Sequence, residues 1–305
     1  MSGEHLLIRA SAGTGKTFRL THRALALLAA HETPERLLAS TFTRRAAGEI
    51  GRRLLEHLEG IRIAPEVIAD LGCGTGVFFE PLKRRFPDAR LVGVDIAPAM
   101  LARAAARTPW WKRALARPAA SLVCGDVERL PLANGCVQLA FSNLALQWTR
   151  PEAVFAETAR VLRPGGLFLF ASFGPDTLKE LRAAFAAVGA AARVNTFVDM
   201  HDLGDALVHA GFADPVLEME IITAEYESVD ALVRELRAVG SHALAAGAPG
   251  IAGKSRWRSA VARYEALRRD GALPATFEVV YGHAWKVAPR KLADGRQVID
   301  FRPRP

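Results

Sequence analysis

The chain has 305 residues, half of them apolar and about a quarter charged, which suits one large globular domain or two small ones. No run is long and apolar enough to span a bilayer, Met1–His5 lacks a signal-peptide pattern, and Cys73, Cys124 and Cys136 form neither a disulfide framework nor a zinc-ligand spacing. The net charge of +8 attracts acidic partners such as nucleic acid, anionic lipid or acidic protein, and the expectation is a cytoplasmic protein with no membrane contact and no metal.

In chain order, a strand over 5–9 leads into the loop Ala10-Ser-Ala-Gly-Thr-Gly-Lys-Thr17 and a helix over 16–29. Leu37–Phe42 reads as a second strand. The next helix runs from Arg44 to Leu58, with Ala46, Ile50, Leu54, Leu55 and Leu58 at helical spacing, and Gly60 and Pro65 end it. Gly13, Gly15, Lys16 and Thr17 match the end of a P-loop, where backbone N–H groups cradle phosphates, Lys neutralises charge and the Thr hydroxyl holds Mg²⁺. With Thr41-Phe-Thr-Arg-Arg-Ala-Ala-Gly-Glu49, this loop resembles the first two motifs of UvrD/RecB-type DNA helicases over about residues 5–50. Phosphoryl transfer also needs a strand-end acid and transition-state cations, and no apolar strand ending in Asp-Glu follows. Residues 1–50 are therefore expected to be a helicase-like fragment with a vestigial cradle. Nucleic acid is not expected as a partner, although a nucleic-acid-binding ATPase module stays as an alternative.

From residue 67 strands and helices alternate. Strands are expected at Val67–Leu71, Arg90–Asp95, Ser121–Cys124, Val137–Ser142 and Leu167–Ala171, the last after a Pro164-Gly-Gly166 turn. Helices are expected at Val77–Arg85, through Met100 to Arg107, near Ala153–Val161 and over the Ala-rich stretch Ala183–Ala192. Two late strands, Leu217–Tyr226 and Phe277–Val287, flank helices over Val229–Ala245 and Ser255–Arg269. Such βα alternation predicts an α/β fold, a parallel sheet with helices on both faces. The residues after 290 read as a tail.

The loop Asp70-Leu-Gly-Cys-Gly-Thr-Gly76 follows the first of these strands. Gly72, Gly74 and Gly76 let the backbone approach a ligand closely at a strand-to-helix turn. Asp70 precedes the loop, Asp95 ends the next strand where a carboxylate can bond ribose hydroxyls, Asp126 follows the third strand, and Asn143 follows the fourth. Open α/β sheets bind ligands at such strand ends. A dinucleotide fingerprint spaces its glycines G-x-G-x-x-G to fit a pyrophosphate; here the third glycine comes one residue early, and Asp70 suits a cationic group better than a diphosphate. The pattern resembles class I S-adenosylmethionine (SAM) methyltransferases. The resemblance implies a Rossmann-like sheet, a helical insertion before the last strand, SAM as cofactor, and cofactor contacts from Asp70, Gly72, Cys73, Gly74, Gly76, Asp95, Ile96, Met100, Asp126, Val127 and Asn143.

Ser142-Asn-Leu-Ala-Leu-Gln-Trp148, Phe173-Gly-Pro-Asp-Thr-Leu-Lys-Glu-Leu181, Ala238-Val-Gly-Ser-His-Ala243 and Tyr281-Gly-His-Ala-Trp285 narrow this further. They resemble the malonyl-acyl carrier protein (malonyl-ACP) O-methyltransferases of biotin synthesis, from about Gly51 to Lys286. The resemblance implies a domain over 51–290 that esterifies the free carboxylate of malonyl-ACP, an acidic protein partner. A SAM methyltransferase for another small acid or a quinone is the alternative within the class. A carboxylate is already ionised at neutral pH, so no catalytic acid or base is nominated. Asn143, Gln147 and Trp148 are the candidate substrate-side residues, although an aromatic such as Trp148 is more often core than contact. The family's own opening segment, implied to cover cofactor and substrate, is replaced by the helicase-like residues, so impaired turnover is expected. The seam falls near Glu49–Arg52, inside one amphipathic helix. Lys254, Arg256, Arg258, Arg263, Arg268 and Arg269 are the candidate docking face for the acidic carrier.

Overall fold

Runs of apolar residues too short for helices, each followed by an amphipathic helix, must pair as strands to bury both of their faces. The computed structural model describes residues 44–107, 120–189, 197–238 and 251–287. The P-loop residues Gly13, Gly15, Lys16 and Thr17, the two strands expected before residue 44 and the tail 291–305 lie outside the described residues. In chain order the elements are α1 (Arg44–Glu56), β1 (Val67–Leu71), α2 (Phe79–Arg85), β2 (Arg90–Asp95), α3 (Pro98–Arg107), β3 (Ser121–Cys124), β4 (Val137–Asn143), a 3₁₀ turn (Leu146–Trp148), α4 (Pro151–Val161), β5 (Leu162–Phe173), α5 (Lys179–Ala186), α6 (Met200–His209), β6 (Phe212–Tyr226), α7 (Val229–Ala238), α8 (Ile251–Glu265) and β7 (Leu273–Lys286). The sheet order is β3-β2-β1-β4-β5-β7-β6. β1 to β5 are parallel, and β7 is antiparallel to both β5 and β6. The sheet is of the class I SAM-methyltransferase kind that the resemblance implies, with the helical insertion α7–α8 before the last strand, but it is mixed and not wholly parallel as the alternation predicted, because β6 and β7 are joined antiparallel through that insertion.

Side-chain alternation builds two cores. Leu167, Leu169 and Ala171 of β5 face one cluster, closed by α1, α2, α3, α5, α7 and α8. Phe168 and Phe170 face the other, closed by α4 and α6. Burial on both faces explains why β5 reads as a continuous apolar run.

Several element bounds differ from expectation for local reasons. The Pro164-Gly-Gly166 turn lies inside β5 as a bulge. Gly165 has φ +76°, and the pairing jumps from Val137↔Leu162 to Leu139↔Leu167. β6 begins at Phe212, five residues before the expected start, because Asp214 (φ +49°) and Pro215 are absorbed in another register shift. α6 has no counterpart among the expected elements; Asp199 caps it by accepting the His201 N–H at 2.8 Å. The Ala-rich helix ends at Ala186, short of Ala192.

α1 crosses the expected 50/51 boundary without a break. Ile50 and Leu54, with Leu58 just beyond the helix, are fully buried. At Gly51 a Cβ would run into the Phe78 ring, which in turn packs on Phe141 at 5.3 Å. Arg53 pairs with Glu220 of β6, and His57 stacks on Tyr281 of β7 at 5.2 Å. Gly48, three residues from Gly51, has open space where a Cβ would project. Two substitutions in one helix should therefore act oppositely. Gly48→Ala should stabilise by about 0.5–1 kcal/mol through helix propensity, whereas Gly51→Ala should destabilise by about 1–3 kcal/mol through overpacking. Urea midpoints decide, and a stabilising Gly51→Ala would show that α1 is not docked on Phe78.

Candidate cofactor site

β1, β2, β3 and β4 run parallel, so their C-terminal ends share one edge. Asp70 lies in β1, Asp95 ends β2, Asp126 follows β3, and Asn143 ends β4. The glycine loop folds back over this edge. Gly72 N and Cys73 N donate to Val94 O at 2.8 and 3.0 Å, and Gly76 N donates to Cys73 O at 2.9 Å. Gly72 has φ +74° and Gly74 φ +54°, a region that L side chains seldom adopt. A Cβ at Gly72 would also collide with Ala145, so the glycine loop and the loop after β4 are in direct contact. Around Gly74 there is open space, on the side from which a ligand could meet the backbone.

Asp95 has a role that its position alone did not reveal. One carboxylate oxygen accepts the Gly74 N–H at 2.8 Å and the other the Ala97 N–H at 2.8 Å. It thus pins the glycine loop while keeping lone pairs for a ligand hydroxyl. Burial raises its pKa, and the two N–H bonds work against that rise. Gly125 N donates to Asp95 O at 3.0 Å, bringing the β3 end alongside.

Asp70 is buried, and its Oδ2 has no hydrogen-bond partner. Burial and then the nearby Asp95 push its pKa up to about 8. A buried carboxylate without a donor is costly, and a cationic ligand would relieve it. The Cys73 thiol is pushed well up by burial and by Asp70 and Asp95, so it is no nucleophile.

The other rim is built from β4 and the loop after it. Asn143 Nδ2 donates to Ala47 O of α1 at 3.1 Å, and Gln147 Nε2 donates to Leu144 O at 2.7 Å. Asn143 Oδ1 and Gln147 Oε1 are buried with no partner. Leu144 between them has φ +52°, backbone strain of the kind found at functional sites. Trp148 is half-buried and belongs to neither core cluster. Asp126 turns its Oδ1 onto the Glu128 N–H at 2.9 Å. Glu128 then accepts the Arg150 N–H at 2.7 Å and its guanidinium at 2.8 Å, lacing the loops after β3 and β4. Ile96 is exposed; Met100 and Val127 are half-buried, with Val127 packed against the α4 core. The Ala47 carbonyl and the left-handed Leu144 had no sequence signal. Two open cavities, of about 700 Å³ between α1 and β6 and about 560 Å³ around Pro65 and Pro87, are lined by none of these residues.

A methyltransferase-domain model matches residues 69–170, from β1 into β5. A 48% identical malonyl-ACP O-methyltransferase from Laribacter hongkongensis aligns over 274 residues, 87% of this chain and 92% of the relative. One from Gallionella capsiferriformans is 44% identical over 87% of this chain and 95% of its own length. The chain belongs to the malonyl-ACP O-methyltransferase family. Solved structures agree on the fold: a Bacillus halodurans structure described as a methyltransferase has TM-score 0.54 at 17% identity over 78% of this chain and 98% of its own. The YcgJ protein of Bacillus subtilis has TM-score 0.52 at 15% identity over 78% and 99%. A model of the UvrD/REP helicase N-terminal domain also matches, over residues 1–79. In this member of the malonyl-ACP O-methyltransferase family, residues 67–79 of that match form β1, the glycine loop and the start of α2.

The buried Asp70 makes a pH prediction. Its folded pKa of about 8 lies above its ordinary 3.8, so the folded state keeps a proton that the unfolded chain has released. Without cofactor, its contribution is full below about pH 4 and is lost as pH rises through about 8. Asp70→Asn cannot titrate, so its Tm should overtake that of the wild type progressively across this window. Thermal melts from pH 5 to 9 that stay parallel would refute this.

Proposed function

We propose that this protein transfers the methyl group of SAM to the free carboxylate of malonyl-ACP, giving the methyl ester. Family membership supplies the substrate class, since both relatives carry that activity in their names. The observation that carries the cofactor is the unpartnered Asp70 Oδ2 beside an open Gly74 backbone. A ligand with an ammonium group and a ribose fits that donor-poor, acid-lined cradle.

In this proposal Asp70 holds the amino group of the cofactor, and Asp95 takes ribose hydroxyls on lone pairs that the loop leaves free. Ile96, Met100, Asp126 and Val127 border the base, and Gly72, Cys73, Gly74 and Gly76 lie under the amino-acid portion. When bound, SAM supplies an electrophilic methyl group with a neutral thioether as its leaving group. The malonyl carboxylate is ionised at neutral pH, so no residue has to remove a proton. The protein aligns the nucleophile and excludes water, and alignment alone lowers barriers substantially. In this reading Asn143, Gln147 and Trp148 serve the thioester arm rather than the carboxylate: the two amide oxygens without partners can accept from N–H donors of that arm, and Trp148 offers a half-buried apolar wall. The three cysteines are free thiols, which suits a reducing, cytoplasmic compartment. No helix among the described residues is long and apolar enough to cross a membrane.

Calorimetric titration with SAM, followed by labelled-methyl transfer to malonyl-ACP, succinyl-ACP and free malonate, tests this. Asp95→Ala and Asp70→Asn should each weaken SAM binding at least about tenfold, the scale of losing hydrogen bonds to a charged group. Label should go to malonyl-ACP in preference to the other acceptors. SAM binding without any label on malonyl-ACP would remove the substrate assignment and leave the cofactor assignment standing.

A further inference from the structure

The strand registers carry the helical insertion beyond the same edge of the sheet as the candidate site. Asn143 at the end of β4 pairs with Ala171 of β5, and β5 leaves β7 at Phe173↔Val279. β6 and β7 continue together for six more pairs, from Ile221↔Glu278 to Tyr226↔Leu273. At about 3.3 Å per residue they project roughly 20 Å beyond the β5 end, on the cofactor side of the sheet. α7 and α8 connect their tips. α8 is anchored by buried Ala260 and Tyr264, whose hydroxyl donates to Pro274 O at 2.7 Å. Trp257 completes the anchor by packing on Phe185 of α5 at 5.4 Å.

The outer side of α8 has a different chemistry. Its sequence carries four basic residues, Lys254, Arg256, Arg258 and Arg263, against one acid, Glu265. Glu265 is taken by Arg268. Arg256 and Arg263, seven residues apart, lie on one edge of the exposed face, and Arg258 lies on the opposite edge. Ser255, Ser259 and Ala262 are exposed between them, leaving a shallow strip between arginine borders. No ion pair joins Arg256, Arg258 or Arg263 to a described residue. Arg268 is different. It donates to Glu265, to Glu227 O at 3.1 Å and to Gly271 O at 2.6 Å, clamping the loop between α8 and β7. It is structural and drops out of the docking face expected from sequence.

We propose that the outer face of α8, bordered by Arg256, Arg258 and Arg263, docks an acidic carrier protein and so delivers a carrier-borne malonyl thioester to the strand ends below. This assignment rests on the carboxyl-methyltransferase reading above. Interfacial charges of this kind steer encounter and set its salt dependence. The occupant is argued from charge complementarity in a protein of net charge +8, and from an insertion carried beyond the same sheet edge as the candidate site.

The test is the triple variant R256E/R258E/R263E in the full chain, checked for a native melt. Its affinity for fluorescently labelled holo-carrier protein should fall at least about tenfold, and the wild-type salt dependence should flatten. KM for malonyl-carrier should rise likewise, while KM for a malonyl thioester of N-acetylcysteamine and kcat on both should stay within twofold. Unchanged carrier binding, or an equal rise in KM for the small thioester, would overturn the docking assignment. Loss of duplex-DNA binding with intact carrier binding would overturn it in favour of nucleic acid. The binding arm needs no turnover, so a wild type that binds carrier through α8 yet methylates neither malonyl substrate would sink the reaction and spare the docking face.

Discussion

Two carboxylates held at neighbouring strand ends, with no cationic side chain paired to either among the described residues, govern the site. Asp95 is held by the Gly74 N–H of the glycine loop and by the Ala97 N–H of its own turn, so the backbone sets its position and not a ligand. Asp70, buried behind it, has an oxygen with nothing to bond. The fold tolerates this because β1 is central in the sheet and is buried along its whole length. The apolar surroundings that hold the strand in place also withhold solvent from its acid. Electrostatic discomfort of this kind makes a site selective: a cation is favoured, and a diphosphate would add negative charge to a pair that already repels.

The rest of the architecture serves that edge. β1 to β4 each bring a polar residue to the same edge, Asp95 and Asn143 two residues beyond the level of Asp70, and the β6–β7 projection continues past the end of β5. Reversal of β7 makes the projection possible, because an antiparallel partner lets β6 and β7 extend together without a crossover helix. What they carry, α7 and α8, is anchored by burial on one face and left charged on the other. Opposite charges are thereby kept on different elements: acids at the strand ends and arginines on the outer face of α8.

The parallel half of the sheet was legible because its signals are local. Apolar runs ending in Asp or Asn, with glycines at the turns, give β1 to β4 and their ligand edge nearly residue for residue. Long-range features were not legible. The bulge at Gly165 looks in sequence like a terminating turn, since only the partner strand reveals that pairing resumes. Asp214-Pro215 looks like a break, yet β6 crosses it with a register shift. α6 is a different kind of miss, because Asp199 and Gly211 bracket it as an N-cap and a stop, a signal as local as those of β1 to β4. Within the site, residue types pointed to Asp70, Asp95 and Asn143. They did not show that Asp95 pins the loop, that Asn143 spends its amide nitrogen on α1, or that Arg268 is a clamp.

Two family models overlap over residues 69–79, and what docking α1 requires bears on how that stretch is used. The helicase match extends to residue 79, but packing assigns residues 44–79 to the methyltransferase sheet. Ile50, Leu54 and Leu58 share a core with Ile68 and Phe141, and Gly51 admits the Phe78 ring. Apolar residues four apart and one glycine suffice to seat a helix face, so a segment of foreign origin can fill the place if it meets that sparse demand. Its hydrogen bond to the candidate site is equally undemanding: Asn143 uses the carbonyl of Ala47, a backbone group that nearly any residue there would present. The side-chain oxygens of Asn143 and Gln147 are not met in this way. A helix in this place is therefore held by burial and by a backbone carbonyl, demands that constrain few of its side chains.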